Sequence, residues 1–235
     1  MPSLGDREMR HGRKTRSRLF NGYKRHIATM ADHGLIVGAL VLPANQPEHQ
    51  ATTALIEDVR WHAPVDELLI DRGYLPSQEV PRLRSCGVRM RCKPWRTSNR
   101  GRFTKDDFRI DLSTAEVTCP AGNVTAIASN AHQARFPASA CGTCPKRELC
   151  TTSKTGRSIS IHRQEALFQQ LRADQKDPDD RRALRKRTAV EHGLARLGRI
   201  QGARARYRGV QKNTLDVRRN AAVVNLETVA RRMAA

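Results

Sequence analysis

An unbroken run of apolar residues, LIVGALVL at positions 35–42, constrains the fold of this chain more than any other segment. The run is closed by Pro43, Asn45 and Pro47, so it has the length of one strand and falls well short of the roughly 20 residues of a membrane-spanning helix. A strand with no polar face must be covered on both sides. The run therefore predicts a central strand in a sheet flanked by helices.

The segments on either side continue this pattern. Residues 20–30 predict a neighbouring strand, joined to the apolar run by a turn at residues 32–34. After the run, we expect a helix ending near Trp61, a strand at Glu67–Ile70, a helix at residues 78–84 and a strand at residues 88–92. This order predicts an α/β core with a mixed sheet. Residues 164–171, 180–200 and 220–233 predict further helices.

The periodicity is lost between Lys93 and about Arg157, where Pro, Gly, Ser, Thr and Asn are frequent. Five of the six cysteines lie in this stretch or at its edge, counting Cys92. We therefore predict a Cys-rich insertion over residues 93–160. It would separate a first part of the core, residues 1–92, from a C-terminal helical part, residues 161–235.

The cysteines predict a metal site in that insertion. The N-terminus carries no secretory signal, so we expect reduced thiols rather than disulfides. Cys141 and Cys144 form a C-x₂-C pair, and Cys150 and Cys119 supply two more thiolates for a tetrahedral zinc site. Unliganded thiols are the alternative, and Cys86 and Cys92 are expected to be ordinary buried residues. The histidines that could replace Cys119 are His132, His162 and His192.

The charge of the chain favours a polyanionic partner. Lys and Arg number 43 against 23 Asp and Glu, which gives a net charge of +20. The positive charge is concentrated in residues 1–26, 82–109 and 181–219, whereas residues 27–80 are acidic. This distribution favours nucleic-acid binding over a merely solubilising basic surface.

Two carboxylates are candidates for metal-dependent chemistry. Asp71 directly follows a predicted strand, at the edge of an α/β sheet where ligands bind, although an Asp beside Gly also suits a turn. Glu191 is the only acid between Asp180 and Asp216, and Arg187 lies four residues before it, so a simple intrahelical ion pair is its alternative. Phosphoryl transfer assisted by Mg²⁺ requires carboxylates from different elements to converge.

Seven short segments, taken together and in order, resemble the DDE transposases of bacterial insertion sequences, in the branch with a Cys-rich insertion before the last catalytic Glu. The resemblance extends over about residues 7–226. The segments are FNGYK at 20–24, VLPAN at 41–45, DRGY at 71–74, FTKDDF at 103–108, TCPAG at 118–122, CGTCP at 141–145 and RTAVE at 187–191.

The resemblance implies an RNase H-like domain that cleaves and joins DNA at transposon ends with Mg²⁺ or Mn²⁺. It implies that Asp71 is the second catalytic Asp and Glu191 the catalytic Glu, while Arg187 contacts DNA phosphate or steadies the Glu. Lys24, Arg196 and Arg199 are assigned to DNA binding with Arg187. The implied protein is a cytoplasmic, nucleoid-associated bacterial transposase that binds double-stranded DNA, forms a homo-oligomer and has no contact with membranes.

The sequence departs from the family pattern in two places. Leu184 and Gly198 stand where the family signature around the Glu has Tyr and Lys, and Arg196 or Arg199 could serve for that Lys. The first catalytic Asp of the relatives lies on a strand before the segment with which this chain begins, and Asp6 is the only Asp before Asp32. We therefore expect a C-terminal portion of a transposase with little strand-transfer activity by itself.

Two other functions are compatible with the sequence. A non-catalytic, zinc-stabilised nucleic-acid-binding module would use only the basic surface and the cysteines. A ribosome-associated basic protein would account for the charge but gives no role to Asp71, Glu191 or the cysteines.

Overall fold

The computed structural model describes residues 3–13 and 17–234. The chain is divided into two compact units. The first contains the residues up to Lys93 together with those from Gln175 onward, and the second is Pro94–Asp174. Both contain helices and strands, which confirms a mixed α/β protein.

The first unit is built around an antiparallel sheet in the order β1-β2-β3, formed by β1 (Arg10–Arg13), β2 (Leu19–Thr29) and β3 (Ile36–Pro43). β3 contains most of the long apolar run and is covered on both faces, as predicted. On one face, residues of β2 and β3 pack in a buried cluster with Leu197 and Val217. On the other, Leu40 packs against Ala51 and Leu55 at helix α1 (Thr52–Arg60).

A parallel pair of strands positions the residues that follow them. β4 (Glu67–Ile70) and β5 (Arg89–Cys92) are connected by helix α2 (Glu79–Ser85), and Ile70 pairs with Cys92 at their carboxyl ends. Among the described residues, these two strands pair only with each other. The strands and helices predicted between residues 20 and 92 are present with small shifts at their ends, but their strands form two separate sheets, one antiparallel and one parallel, and not the single mixed sheet that was predicted.

The C-terminal part of the first unit is helical. It contains α6 (Pro178–Arg185), α7 (Thr188–Gln201) and α8 (Val210–Met233). The prediction of a single helix over 180–200 was wrong, because α6 ends before Arg187. The prediction that the last helix begins near residue 220 was also wrong, because acidic residues distant in sequence cap an earlier start: Gly209 N donates to Asp6 Oδ2 at 3.2 Å, and Val210 N donates to Glu8 Oε2 at 2.8 Å.

The second unit has a five-stranded antiparallel sheet in the order β10-β9-β8-β7-β6. Its core contains Phe108, Val117, Phe136 and Ile159. No periodicity in the sequence indicated these strands, because each has only three to five residues. The elements are β6 (Arg109–Asp111), β7 (Glu116–Thr118), β8 (Val124–Ala128), β9 (Gln133–Arg135), α3 (Ala138–Gly142), α4 (Arg147–Cys150), β10 (Ser158–Ser160) and α5 (Glu165–Asp174).

No helix within the described ranges combines the length and the apolar character needed to cross a membrane.

Candidate active site

Asp71 lies at the carboxyl end of β4, where the chain turns into a short 3₁₀ helix, Arg72–Tyr74. Its Oδ1 atom accepts a hydrogen bond from Arg72 N at 2.7 Å and so caps that helix. The side chain is 59% exposed. Asp71 therefore has the turn role that the sequence left open, and it still presents its second carboxylate oxygen to its surroundings.

Glu191 is in the first turn of α7 and is linked to Asp71 through Arg187. Arg187 precedes the helix, and its Nη2 atom lies 3.0 Å from Glu191 Oε1. The Nη1 atom of the same guanidinium is 3.8 Å from Asp71 Oδ2. One cationic group therefore bridges the two carboxylates, although they are 120 residues apart in the sequence. Both carboxylates are exposed, so water and ions can reach them.

A third carboxylate, which the sequence analysis did not select, lies beside the Asp71 turn. Glu48 begins a 3₁₀ helix before α1, where its negative charge favours the helix start. The Glu48 side chain approaches the backbone so closely that a Cβ atom at Gly73 would be 2.0 Å from Glu48 Oε2. No local pattern signals this contact, because it depends on tertiary packing.

Tyr74 lies close enough to Glu48 and Asp71 for their charges to affect the pKa of its phenol. Burial raises the pKa of its phenol, and the negative charges of Glu48 and Asp71 raise it further. The phenolic oxygen lies 2.8 Å from His26 Nδ1 on β2. Burial lowers the pKa of His26 to about 4, with a smaller contribution from Lys24, so this imidazole is neutral at pH 7.

Cys92, at the end of β5, is buried as expected. Burial raises the pKa of its thiol to about 12, and the charge of Asp71 acts in the same direction. The thiol is therefore protonated at neutral pH in this environment.

The predicted DNA-binding residues occupy different environments. Lys24 Nζ donates to the Gln46 carbonyl at 3.2 Å, and Arg199 is exposed on α7. Arg196 faces α8, where it donates to Thr228 Oγ1 at 2.6 Å and forms an ion pair with Glu227 at 3.2 Å. Its side chain, only 16% exposed, holds α7 and α8 together. None of these contacts tests the assignment of these residues to DNA.

Asp6, the only Asp before Asp32, is buried and has several hydrogen-bond donors. Tyr23 donates to Asp6 Oδ2 at 2.7 Å, Gly209 N donates to the same atom, and two backbone N–H groups of its own turn donate to Oδ1. Burial would raise the pKa of Asp6, but these donors lower it overall. Asp6 therefore acts as a structural anchor for the start of α8.

The six cysteines fall into two groups. Cys92 is buried, but Cys86 is exposed, so the prediction that Cys86 is buried was wrong: its position just after α2 faces solvent. The other four, Cys119, Cys141, Cys144 and Cys150, are partly exposed and line one cavity of the second unit.

The described residues contain no preformed metal site. Within residues 3–13 and 17–234, no three or more His, Cys, Asp or Glu side chains are grouped so that they could hold a metal ion. The histidines proposed as substitutes for Cys119 are not among the residues that line the four-cysteine cavity.

Comparison with known proteins confirms the resemblance found in the sequence. Residues 118–230 match the family described as Transposase DDE domain. The match includes Arg187, Glu191 and the four cysteines of the cavity, whereas Glu48 and Asp71 lie before it. No curated protein and no solved structure matches the chain. Over residues 118–230, slightly less than half of its length, this chain is therefore similar to the transposase DDE domain family.

Proposed function

We propose that the first unit is the RNase H-like catalytic core of a DNA transposase, in which Asp71 and Glu191 bind Mg²⁺ or Mn²⁺ for DNA cleavage and strand transfer. The contact of one Arg187 guanidinium with both carboxylates carries this proposal. Because these acids come from the end of a strand and the start of a helix, their closeness is a tertiary feature and not a local ion pair alone.

The ion at this site would supply the charge that activates and stabilises oxygens at a scissile phosphate. Carboxylate oxygens are suitable ligands for Mg²⁺, which retains several waters when it is bound. Arg187 now neutralises the position between the acids. With an ion there, its guanidinium would be released to pair with a DNA phosphate, for which its planar donors are suited.

Glu48 is the third acid that we propose for this site. Its carboxylate lies against Gly73, two residues after Asp71, and both acids raise the pKa of Tyr74. Three carboxylates would give a divalent ion more oxygen ligands. With Glu48 as the third acid, the proposed site does not require Asp6 as a ligand.

Double-stranded DNA is the proposed partner, as the family implies. The net charge of +20 supplies the attraction, and the basic blocks occur in both units. We propose that Lys24, Arg187 and Arg199 contact phosphate, and that Arg196 acts mainly by fixing α7 against α8. The second unit would be a Cys-rich insertion in the RNase H-like core, and a homo-oligomer would bring two transposon ends together.

Manganese binding tests the proposal without depending on complete transposition. Titration calorimetry on the whole chain should show that Asp71→Asn and Glu191→Gln each lower Mn²⁺ affinity by at least about tenfold. Asp179→Asn is the matched control, because that carboxylate is exposed on α6. Equal Mn²⁺ affinity in all variants would contradict the proposed site.

A non-catalytic nucleic-acid-binding module remains the second candidate, and the four-cysteine cavity is the observation that favours it. Nicking of supercoiled plasmid DNA separates the two functions. Metal-dependent nicking that Asp71→Asn abolishes supports the transposase, whereas DNA binding without nicking and without Mn²⁺ binding supports the module.

A further inference from the structure

The four cysteines of the second unit come from separate turns that meet at one cavity. Cys119 follows β7 at the start of a tight turn, where Gly122 N donates to the Cys119 carbonyl at 2.9 Å and Gly122 has a φ of +88°. Asn123 Nδ2 lies 3.7 Å from Cys119 Sγ. A left-handed residue that closes the turn and a donor directed at sulfur are both compatible with a thiolate there.

The remaining three thiols come from one short helical segment. Cys141 lies in α3, Cys144 follows that helix, and Cys150 is the last residue of α4. Cys144 N donates to the Cys141 carbonyl at 3.4 Å, so the backbone between this pair forms a turn. Lys146 Nζ donates to the Pro120 carbonyl at 2.7 Å and fixes this segment to the Cys119 turn.

Positive charge surrounds the same cavity. Lys146, Arg147 and Arg157 line it together with the four cysteines. Their hydrogen bonds are to backbone carbonyls, of Pro120, Ser153 and Phe103 respectively. Within the described ranges, no carboxylate lies within ion-pair distance of these three cations. Arg157 also has a buried Nε atom without a hydrogen-bond partner there.

From this convergence of four thiols and three unneutralised cations, we infer that Cys119, Cys141, Cys144 and Cys150 bind one structural Zn²⁺ ion. Four thiolates and Zn²⁺ together carry a charge of about −2, which Lys146, Arg147 and Arg157 would balance. Closure of the site would draw the four sulfur atoms to about 2.3 Å from the ion.

The ion would hold together a unit with a limited core. Cys119, Cys141 and Cys150 already pack at the edge of the cluster that contains Phe108 and Phe136. The strands of this unit have three to five residues each, so each pair of strands forms only a few backbone hydrogen bonds. A metal that joins the β7–β8 turn to α3 and α4 would crosslink these elements. This inference does not depend on the proposed cleavage activity.

Metal analysis of the whole chain, purified under reducing conditions, tests the inference. We expect one zinc per chain and a complete loss of zinc in Cys119→Ser and in Cys144→Ser. Cys86→Ser is the matched control and should retain the metal, because this cysteine is exposed outside the cavity. Zinc retained in the first two variants, or no zinc in the unaltered chain, would overturn the inference.

A second measurement on the unaltered chain avoids variants that fail to fold. A thiol reagent added in steps should modify Cys86 first without releasing metal, and release of one zinc, followed with a chelating dye, should accompany modification of the next four thiols. If the cavity thiols react as quickly as Cys86 and no zinc is released, the site does not exist.

Discussion

The guanidinium of Arg187 lies 3.8 Å from the Asp71 carboxylate and so links the end of β4 to the start of α7. The same group pairs with Glu191. Under the proposed function, Arg187 occupies the position that a shared divalent ion would take, and the fixed cation and the ion would compete for the same negative potential.

Removal of this cation should strengthen metal binding. We expect Arg187→Gln to raise Mn²⁺ affinity by about fivefold, which corresponds to an exposed ion pair worth about 1 kcal/mol. The same variant should bind duplex DNA more weakly. Calorimetry with Mn²⁺ and fluorescence anisotropy with labelled DNA measure the two effects. Arg182→Gln, an exposed position on α6, should leave the Mn²⁺ affinity unchanged; a fall in Mn²⁺ affinity in Arg187→Gln would contradict this competition.

Gly73 offers a way to move Glu48 without removing it. An alanine Cβ at this position would stand 2.0 Å from Glu48 Oε2 and 2.9 Å from its Cδ atom, so Gly73→Ala must displace the carboxylate. We expect weaker Mn²⁺ binding together with a small loss of stability, because the displaced group is the end of a flexible side chain.

A double-mutant cycle identifies the cause of that loss. If the clash with Glu48 destabilises Gly73→Ala, the pair Gly73→Ala with Glu48→Ala should be more stable than the sum of the single changes predicts. Thermal unfolding of the four proteins gives this coupling. Strict additivity would show that the Gly73 backbone, and not the Glu48 carboxylate, is disturbed.

The sequence was sufficient to select candidate residues whose position depends on local structure. Asp71 ends a strand and Glu191 is one helical turn after Arg187, so each could be selected from neighbouring residues alone. It was insufficient where contacts join distant segments. Glu48 reaches Gly73 through packing of two 3₁₀ turns, and α8 begins early because Asp6 and Glu8 cap it from some 200 residues away.

Glu165 is a buried charge that should control the acid stability of the second unit. Burial would raise the pKa of its carboxyl, but hydrogen bonds from Lys105, Arg172 and His162 N lower it overall. The carboxylate is 2% exposed, and Arg172 Nη2 lies 2.7 Å from Oε1. Loss of one partner of a buried pair costs about 3–5 kcal/mol, so we expect a penalty of that order for Glu165→Gln.

The sign of the pH dependence follows from the lowered pKa of Glu165. An unfolded Glu titrates near pH 4.3, so the stabilisation is complete above that value and is lost as the pH falls through the lower folded pKa. Thermal unfolding between about pH 6 and pH 3 should show this decline, and Glu165→Gln should flatten it. Glu148→Gln is a control on an exposed residue of the same unit; an equal decline in Glu165→Gln would rule out Glu165 as the source.

His26 should impose a different pH dependence on the first unit. Its pKa is lowered from 6.5 to about 4, chiefly by burial, and its Nδ1 atom is 2.8 Å from Tyr74 OH. The unfolded chain therefore binds an additional proton between these values, and stability should fall as the pH decreases from 6.5 towards 4 while remaining constant above 6.5.

His26→Phe retains the buried ring but cannot titrate, so its stability should not change over this range. His62→Gln, on the surface after α1, should behave like the unaltered chain. Hydrogen-exchange protection factors at β2 and β3 assign the effect to this sheet, and protection that does not change between pH 6.5 and 4 would show that folding does not lower the pKa of His26.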